Sequence, residues 1–255
     1  HDEACRDFRK AIAIDPDLPD IAGSLMHAQM HCCDWTEHDA LARRIVTGVR
    51  AGVRCTSPFP FLGIADSAQD QRRCAETWSR AMYPPAQHPL WTGERYDHDR
   101  IRVAYLSADF HDHATARLTA GLLERHDRTR FAVTAVSFGP DDGSAMRARI
   151  QSACERFVDV RQQSDAEVAR WLREQEFDIA VDLKGYTADA RPGILARRPA
   201  PVQVAYLGYP GTLGAEYIDY VVADAVVVPP GDEPHYVERV VRMPESYQAN
   251  DARPA

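Results

Sequence analysis

The chain has 255 residues, 45% of them hydrophobic and 27% charged, a composition that excludes a disordered or collagen-like polypeptide and fits one large or two smaller globular domains. Its formal charge of −8 argues against a general nucleic-acid binder, which carries a basic excess. The longest apolar runs, such as Val226 to Pro230, fall far short of the ~20 residues that cross a bilayer, so no membrane association is expected.

From His1 to about Pro85 apolar residues recur at helical spacing: Phe8, Ala11 and Ile12, then Ile21, Leu25 and Ala28, then Leu41, Ile45 and Val49. Asp15-Pro16 stops the first helix, because the residue before a proline is pushed out of the α region. A loop containing Ser57-Pro58-Phe59-Pro60 separates the third helix from a fourth over about Asp66 to Met82, and Pro84-Pro85 opens a polar linker that runs to Arg100.

Beyond Arg100 the period changes. Short β-branched runs, Ile101 to Leu106, Phe131 to Phe138, Asp178 to Leu183, Val202 to Leu207 and Tyr220 to Val222, predict strands. Between them, Ala145 to Phe157 and Asp165 to Glu176 predict helices. Alternating strands and helices imply a parallel sheet covered on both faces, and strands that are apolar throughout fit that burial. The fold class is therefore α/β, a Rossmann-like sheet preceded by an all-α region, with functional loops beyond the carboxyl ends of the strands.

The first such loop, Ser107-Ala108-Asp109-Phe110-His111-Asp112-His113-Ala114-Thr115-Ala116-Arg117, runs into a helix N-terminus, where free N–H groups favour an anion. Asp109, His111 and His113 could converge on a metal, Asp112 or Thr115 could simply cap the helix, or one histidine could act as general base or phosphate partner. A second loop, Lys184-Gly185-Tyr186-Thr187, follows a strand that ends at Asp182, a grouping that orients a polar substrate or closes a turn. A third, Gly208-Tyr209-Pro210-Gly211-Thr212-Leu213-Gly214, has glycines that permit close ligand approach. No Walker loop and no Gly-x-Gly-x-x-Gly after the first strand support ATP or nicotinamide binding.

Six cysteines, Cys5, Cys32, Cys33, Cys55, Cys74 and Cys154, show no zinc spacing, so no metal is expected. The charged stretch His1 to Arg9 is not a signal peptide, and the chain reads as cytoplasmic and reduced. Its first residue is not methionine, so a piece of a longer protein is expected. Only two lysines occur, Lys10 and Lys184.

The segment Arg100 to Arg117 resembles the start of the catalytic region of the O-GlcNAc transferase family. Further blocks resemble that family in order: Gly139-Pro140-Asp141-Asp142-Gly143, Lys184-Gly185-Tyr186-Thr187 with Ala190-Arg191, Arg198-Pro199-Ala200-Pro201-Val202-Gln203, and Leu207-Gly208-Tyr209-Pro210-Gly211-Thr212. Upstream, Cys33-Asp34-Trp35 and Ser57-Pro58-Phe59 resemble its helical linker, and Ala4, Phe8, Ala11 and Pro16 match the spacing of a tetratricopeptide second helix.

This resemblance implies tetratricopeptide-like helices over residues 1–33, a helical linker over 34–99, the first lobe of a GT-B glycosyltransferase over 100–245, and the start of an inter-lobe connection over 246–255. It further implies a metal-independent, inverting transfer of N-acetylglucosamine from UDP to serine or threonine hydroxyls of polypeptides. The partners are then a nucleotide sugar, a polypeptide acceptor and a second lobe outside this chain, with no cofactor. A fucosyl-transferring relative that uses GDP-fucose, and a catalytically inactive binding module, stand as alternatives. The family's active-site histidine falls on His113, while its second histidine is Arg117 here and its proline is Ala114. His113, Asp182 or the donor's own phosphate is the candidate base. Lys184, Tyr186, Thr187, Tyr209, Pro210 and Thr212 are the candidate substrate contacts.

Overall fold

The computed structural model describes residues 1–253, so the last two residues of the expected connection over 246–255 lie outside the described ones. The chain forms two compact units. One comprises His1–Met82 with Gly211–Ala215 and Pro234–Val237, and the other comprises the remaining segments from Tyr83 onward.

The first unit is helical: α1 (Asp2–Ile14), α2 (Ile21–His31), α3 (His38–Arg50), α4 (Pro58–Phe61) and α5 (Ala68–Met82). The expected apolar stripes supply its core, where Leu25, Met26, Leu41, Ile45, Val49 and Phe61 are buried together. α1 ends before Asp15-Pro16, with Asp15 in extended backbone. The expected loop at Ser57 to Pro60 is instead the single turn α4, because Ser57 is extended and Pro58 sits at the first helical position, where its missing N–H costs nothing.

The second unit is a seven-stranded sheet in the order β3-β2-β1-β4-β5-β6-β7, parallel throughout. Its strands are β1 (Ile101–Ser107), β2 (Phe131–Ser137), β3 (Arg156–Asp159), β4 (Ile179–Asp182), β5 (Val202–Tyr206), β6 (Tyr220–Ala223) and β7 (Arg239–Arg242). The helices α6 (Ala114–Glu124), α7 (Ala145–Ala153) and α8 (Asp165–Glu174) connect the first four strands. One face of the sheet presents Val103, Tyr105, Val133, Ala135 and Val181 to Ala116, Ala120, Leu123 and Ile150 of α6 and α7. The β3-to-β4 connection runs back across the sheet, so right-handed crossover places α8 on the opposite face.

Two strands escape the sequence pattern. The helix expected from Ala145 to Phe157 stops at Ala153, Cys154 is extended, and Arg156–Asp159 becomes the edge strand β3. Ile150, Ala153 and Phe157 happen to keep helical spacing across that break, while four residues are too few to display alternation. β7 is equally short. The helix expected to reach Glu176 ends at Glu174, since Glu176 takes left-handed backbone at φ 52°.

The segment expected as a linker packs with the sheet unit from Tyr83 onward. Leu90 and Trp91 donate backbone N–H groups to the carbonyls of Arg197 and Arg198 at 2.9 and 2.8 Å. Glu94 accepts from Thr92 N–H at 2.8 Å and from Arg173 Nη2 at 2.7 Å. These bonds, the Thr92 N–H foremost, hold its carboxyl down at about 2.

Two predictions follow from packing and charge. A Cβ on Gly139 would lie 1.6 Å from Ala108 O, and one on Gly208 would lie 2.1 Å from Leu183 O. Gly139→Ala and Gly208→Ala should each therefore lower stability by about 1–3 kcal/mol in urea titration. Because the Glu94 carboxyl is depressed in the folded state, the stability it adds is present above the ordinary carboxylate value of about 4.3 and lost as pH falls toward about 2. Glu94→Gln should thus flatten the acid limb of the stability profile in that window, and unchanged slopes would show that the contact contributes nothing.

Candidate active site

The strand order reverses direction between β1 and β4, the place where open parallel sheets form a crevice beyond their carboxyl ends. Three loops reach that edge, from β1, β4 and β5, and residues 138–144 after β2 flank them.

After β1, Ser107 Oγ accepts the Asp109 N–H at 2.9 Å and turns the chain out of the sheet. His113, in extended backbone at φ −142°, is the N-cap of α6, and its Nδ1 accepts the Thr115 N–H at 3.2 Å. Neither Asp112 nor Thr115, the residues expected as caps, fills that place. An Nδ1 that accepts must carry a lone pair, which leaves Nε2 to bear the proton of the neutral ring. Thr115 Oγ1 donates to Asp109 Oδ2 at 3.2 Å, and the same oxygen lies 3.6 Å from His113 Nδ1. The His113 side chain is 43% exposed, whereas that of Asp109 is 9% exposed. Arg117, at the position of the family's second histidine, pairs with Asp112 at 2.8 Å. Among the described residues, no three histidine, cysteine or carboxylate side chains are placed to hold a metal ion. Nδ1 of His111 is enclosed and has no hydrogen-bond partner among them.

After β4, Asp182 closes a turn: its Oδ1 accepts the Lys184 N–H at 2.9 Å and its Oδ2 the Gly185 N–H at 3.0 Å. Burial raises its carboxyl above the ordinary value, opposed by those two N–H groups and by Lys184. Thr187 Oγ1 donates to the Lys184 carbonyl at 2.9 Å, so this hydroxyl also locks the turn. The Lys184 ammonium turns inward and sits 2.8 Å from both oxygens of Asp109, with its side chain 5% exposed. Tyr186 stacks on Tyr83 at 6.3 Å and meets Tyr209 edge-on at 5.6 Å.

After β5, Leu207 takes φ 71°, and Gly208 N–H donates to Tyr206 O at 2.9 Å. This is a γ-turn of the strained, positive-φ kind, and a branched side chain held there marks a backbone fixed by its surroundings. Tyr209 is buried and Pro210 exposed. Thr212 falls outside the sheet unit. It belongs to the helical unit, where it is buried and its Oγ1 accepts the N–H groups of Gly214 and Val237 at 3.1 and 3.2 Å.

Arg147, which no motif singled out, ties this edge together. Its buried guanidinium donates to Phe110 O at 3.1 Å and to Ser137 Oγ at 3.3 Å, and it pairs with Asp141 at 3.0 Å and Asp159 at 3.1 Å. Asp142 accepts the N–H groups of Asp112 and Ser144 at 2.9 and 3.0 Å, the first of these chiefly holding its carboxyl far below the usual range. A cavity of about 320 Å³ opens at the other, amino-terminal edge of the sheet. Its arginines hydrogen-bond within the protein, Arg100 to Glu155, Arg102 to Gln175 O and Arg156 to Gln175 Oε1. The carboxyl edge therefore offers an exposed imidazole at a helix start, fixed backbone turns and an aromatic wall, with Asp182 and Lys184 both paired.

Residues 62–254 match the family described as Glycosyl transferase family 41. The chain is 31% identical over 242 residues to the probable UDP-N-acetylglucosamine–peptide N-acetylglucosaminyltransferase SEC of Arabidopsis thaliana, covering 89% of this chain and 25% of that protein. It is 30% identical over 237 residues to the UDP-N-acetylglucosamine–peptide N-acetylglucosaminyltransferase of Caenorhabditis elegans, covering 86% of this chain and 20% of that one. The chain thus spans about a quarter or less of the length of these curated relatives. A solved structure of a mutant O-GlcNAc transferase from Thermobaculum terrenum superposes with a TM-score of 0.70 at 26% identity, over 96% of this chain and 48% of that one. With the family match running from Leu62 through the strand-end loops to Pro254, the chain belongs to glycosyl transferase family 41.

Proposed function

We propose that this chain is the first Rossmann-like lobe, with its preceding helical part, of a cytoplasmic protein O-glycosyltransferase that transfers N-acetylglucosamine from UDP to serine and threonine hydroxyls. The observation that carries the proposal is the family match laid over the switch-point loops, with His113 exposed at the start of α6. The second GT-B lobe, a nucleotide sugar and a polypeptide acceptor are the partners, and neither metal nor other cofactor takes part.

In this reading the acceptor hydroxyl oxygen attacks the anomeric carbon and the bond to the diphosphate oxygen breaks, inverting the centre. Asp182 has both oxygens committed to backbone N–H groups, and the Nδ1 lone pair of His113 is committed to Thr115. In this reading the hydroxyl proton passes to an oxygen of the departing phosphate, while His113 donates from Nε2–H to an oxygen of the bound substrates. Tyr186, Tyr209 and Pro210 form the wall against which the substrates lie. Lys184 and Thr187 act indirectly, by shaping the loop.

Incubation of the complete protein with a panel of UDP- and GDP-sugars should release UDP with UDP-N-acetylglucosamine above all others. Release of GDP from GDP-fucose would instead establish the fucosyl reading, and no release from any donor the inactive module. In the complete protein His113→Ala should lower kcat by about 10²–10³-fold, the usual effect of removing one fixed donor to developing charge. Near-normal turnover by a folded variant would remove His113 from that role.

A further inference from the structure

His113 Nδ1 lies between two groups with opposite demands. The Thr115 N–H, 3.2 Å away, needs a lone pair on Nδ1, whereas Asp109 Oδ2, 3.6 Å away, would be satisfied by a proton there. A neutral imidazole can serve only one of them, and which one decides where its proton resides. A carboxylate standing alone would draw the proton to Nδ1 and pull the ring off the helix start. Asp109 does not stand alone. Lys184 Nζ lies 2.8 Å from each of its oxygens, Thr115 Oγ1 donates to Oδ2, and both side chains of the ion pair are nearly removed from water.

We propose that Lys184 is a positioning residue: by occupying Asp109, it selects the Nε2–H tautomer of His113 and seats the imidazole as the N-cap of α6. Among the described residues Lys184 has no hydrogen bond or ion pair with His113, so its influence passes through the Asp109 carboxylate. The bearing of this tautomer on turnover rests on the transferase reading, but the tautomer itself does not.

The test is a long-range ¹H–¹⁵N correlation on histidine-labelled chain at about pH 8, where an ordinary imidazole is neutral, with His113→Gln identifying the signals. The native chain should show His113 protonated at Nε2. Lys184→Met should move the proton to Nδ1 in the majority of molecules, and Lys184→Arg should restore the native pattern. Asp109→Asn should keep the Nε2–H form, because the competing charge is gone. Should Lys184→Met fail to fold, Lys184→Leu, which likewise removes the donor from Asp109, provides the same comparison. A native chain protonated at Nδ1, or a folded Lys184→Met or Lys184→Leu variant with unchanged tautomer, would overturn the proposal. The spectra need no turnover, so their failure would leave the transferase reading standing, and an inactive complete protein would leave the tautomer result standing.

Discussion

One buried ion pair, Asp109 with Lys184, spans the point where the sheet changes direction, and the geometry of the candidate site depends on it. Backbone pairing of β1 with β4 runs to Leu106 and Asp182, with the Leu183 N–H donating to Leu106 O at 3.0 Å, and the ion pair then ties together the loops that follow. Two charges taken out of water carry a large desolvation cost, so such a pair is weak evidence for stability, but removing one partner strands the other. Its effect is therefore on arrangement: Asp109 holds Thr115 and faces the ring of His113, while the backbone of Lys184 is held in turn by Asp182.

Around that pair the loops are fixed by close approach and by unusual backbone. Gly139 against Ala108, and Gly208 against Leu183, allow neighbouring strand-end loops to touch where any side chain would collide. The γ-turn at Leu207 redirects the chain within one residue of β5. Arg147 then gathers the loop after β1 and the ends of β2 and β3 around one guanidinium, whose planar fork of donors suits several acceptors at once. Loops built in this way are held in one arrangement by the protein's own contacts, which in the proposed transferase would serve the orientation of two reactants.

Much of this was legible in the residues. Helices α1, α2, α3, α5 and α8, strands β1, β2, β4, β5 and β6, the Asp15-Pro16 stop and the strand-end loops stand where periodicity and proline chemistry put them. β3 and β7 were not legible, because four residues on an edge carry too little pattern. The destination of Lys184 was hidden for a different reason. A lone lysine after β4 and an aspartate after β1 signal a pair only once those strands are known to be neighbours, and β2 and β3 intervene in the chain without intervening in space. Asp182 and Thr187 look like substrate groups in sequence because the residue types that bind polar ligands are also those that close turns. Thr212 lies four residues beyond Gly208, yet its hydroxyl serves the helical unit, a change of allegiance that no local motif announces.

The placement of the lysines also governs how this chain meets reagents. Lys10 is 73% exposed beside Asp7, while Lys184 is enclosed by Asp109. Amine-directed labels, cross-linkers and lysine-modifying enzymes therefore find Lys10 on the helical unit and no accessible lysine on the sheet unit, whose positive surface is carried by arginine alone. A fluorophore attached through lysine would therefore report on α1.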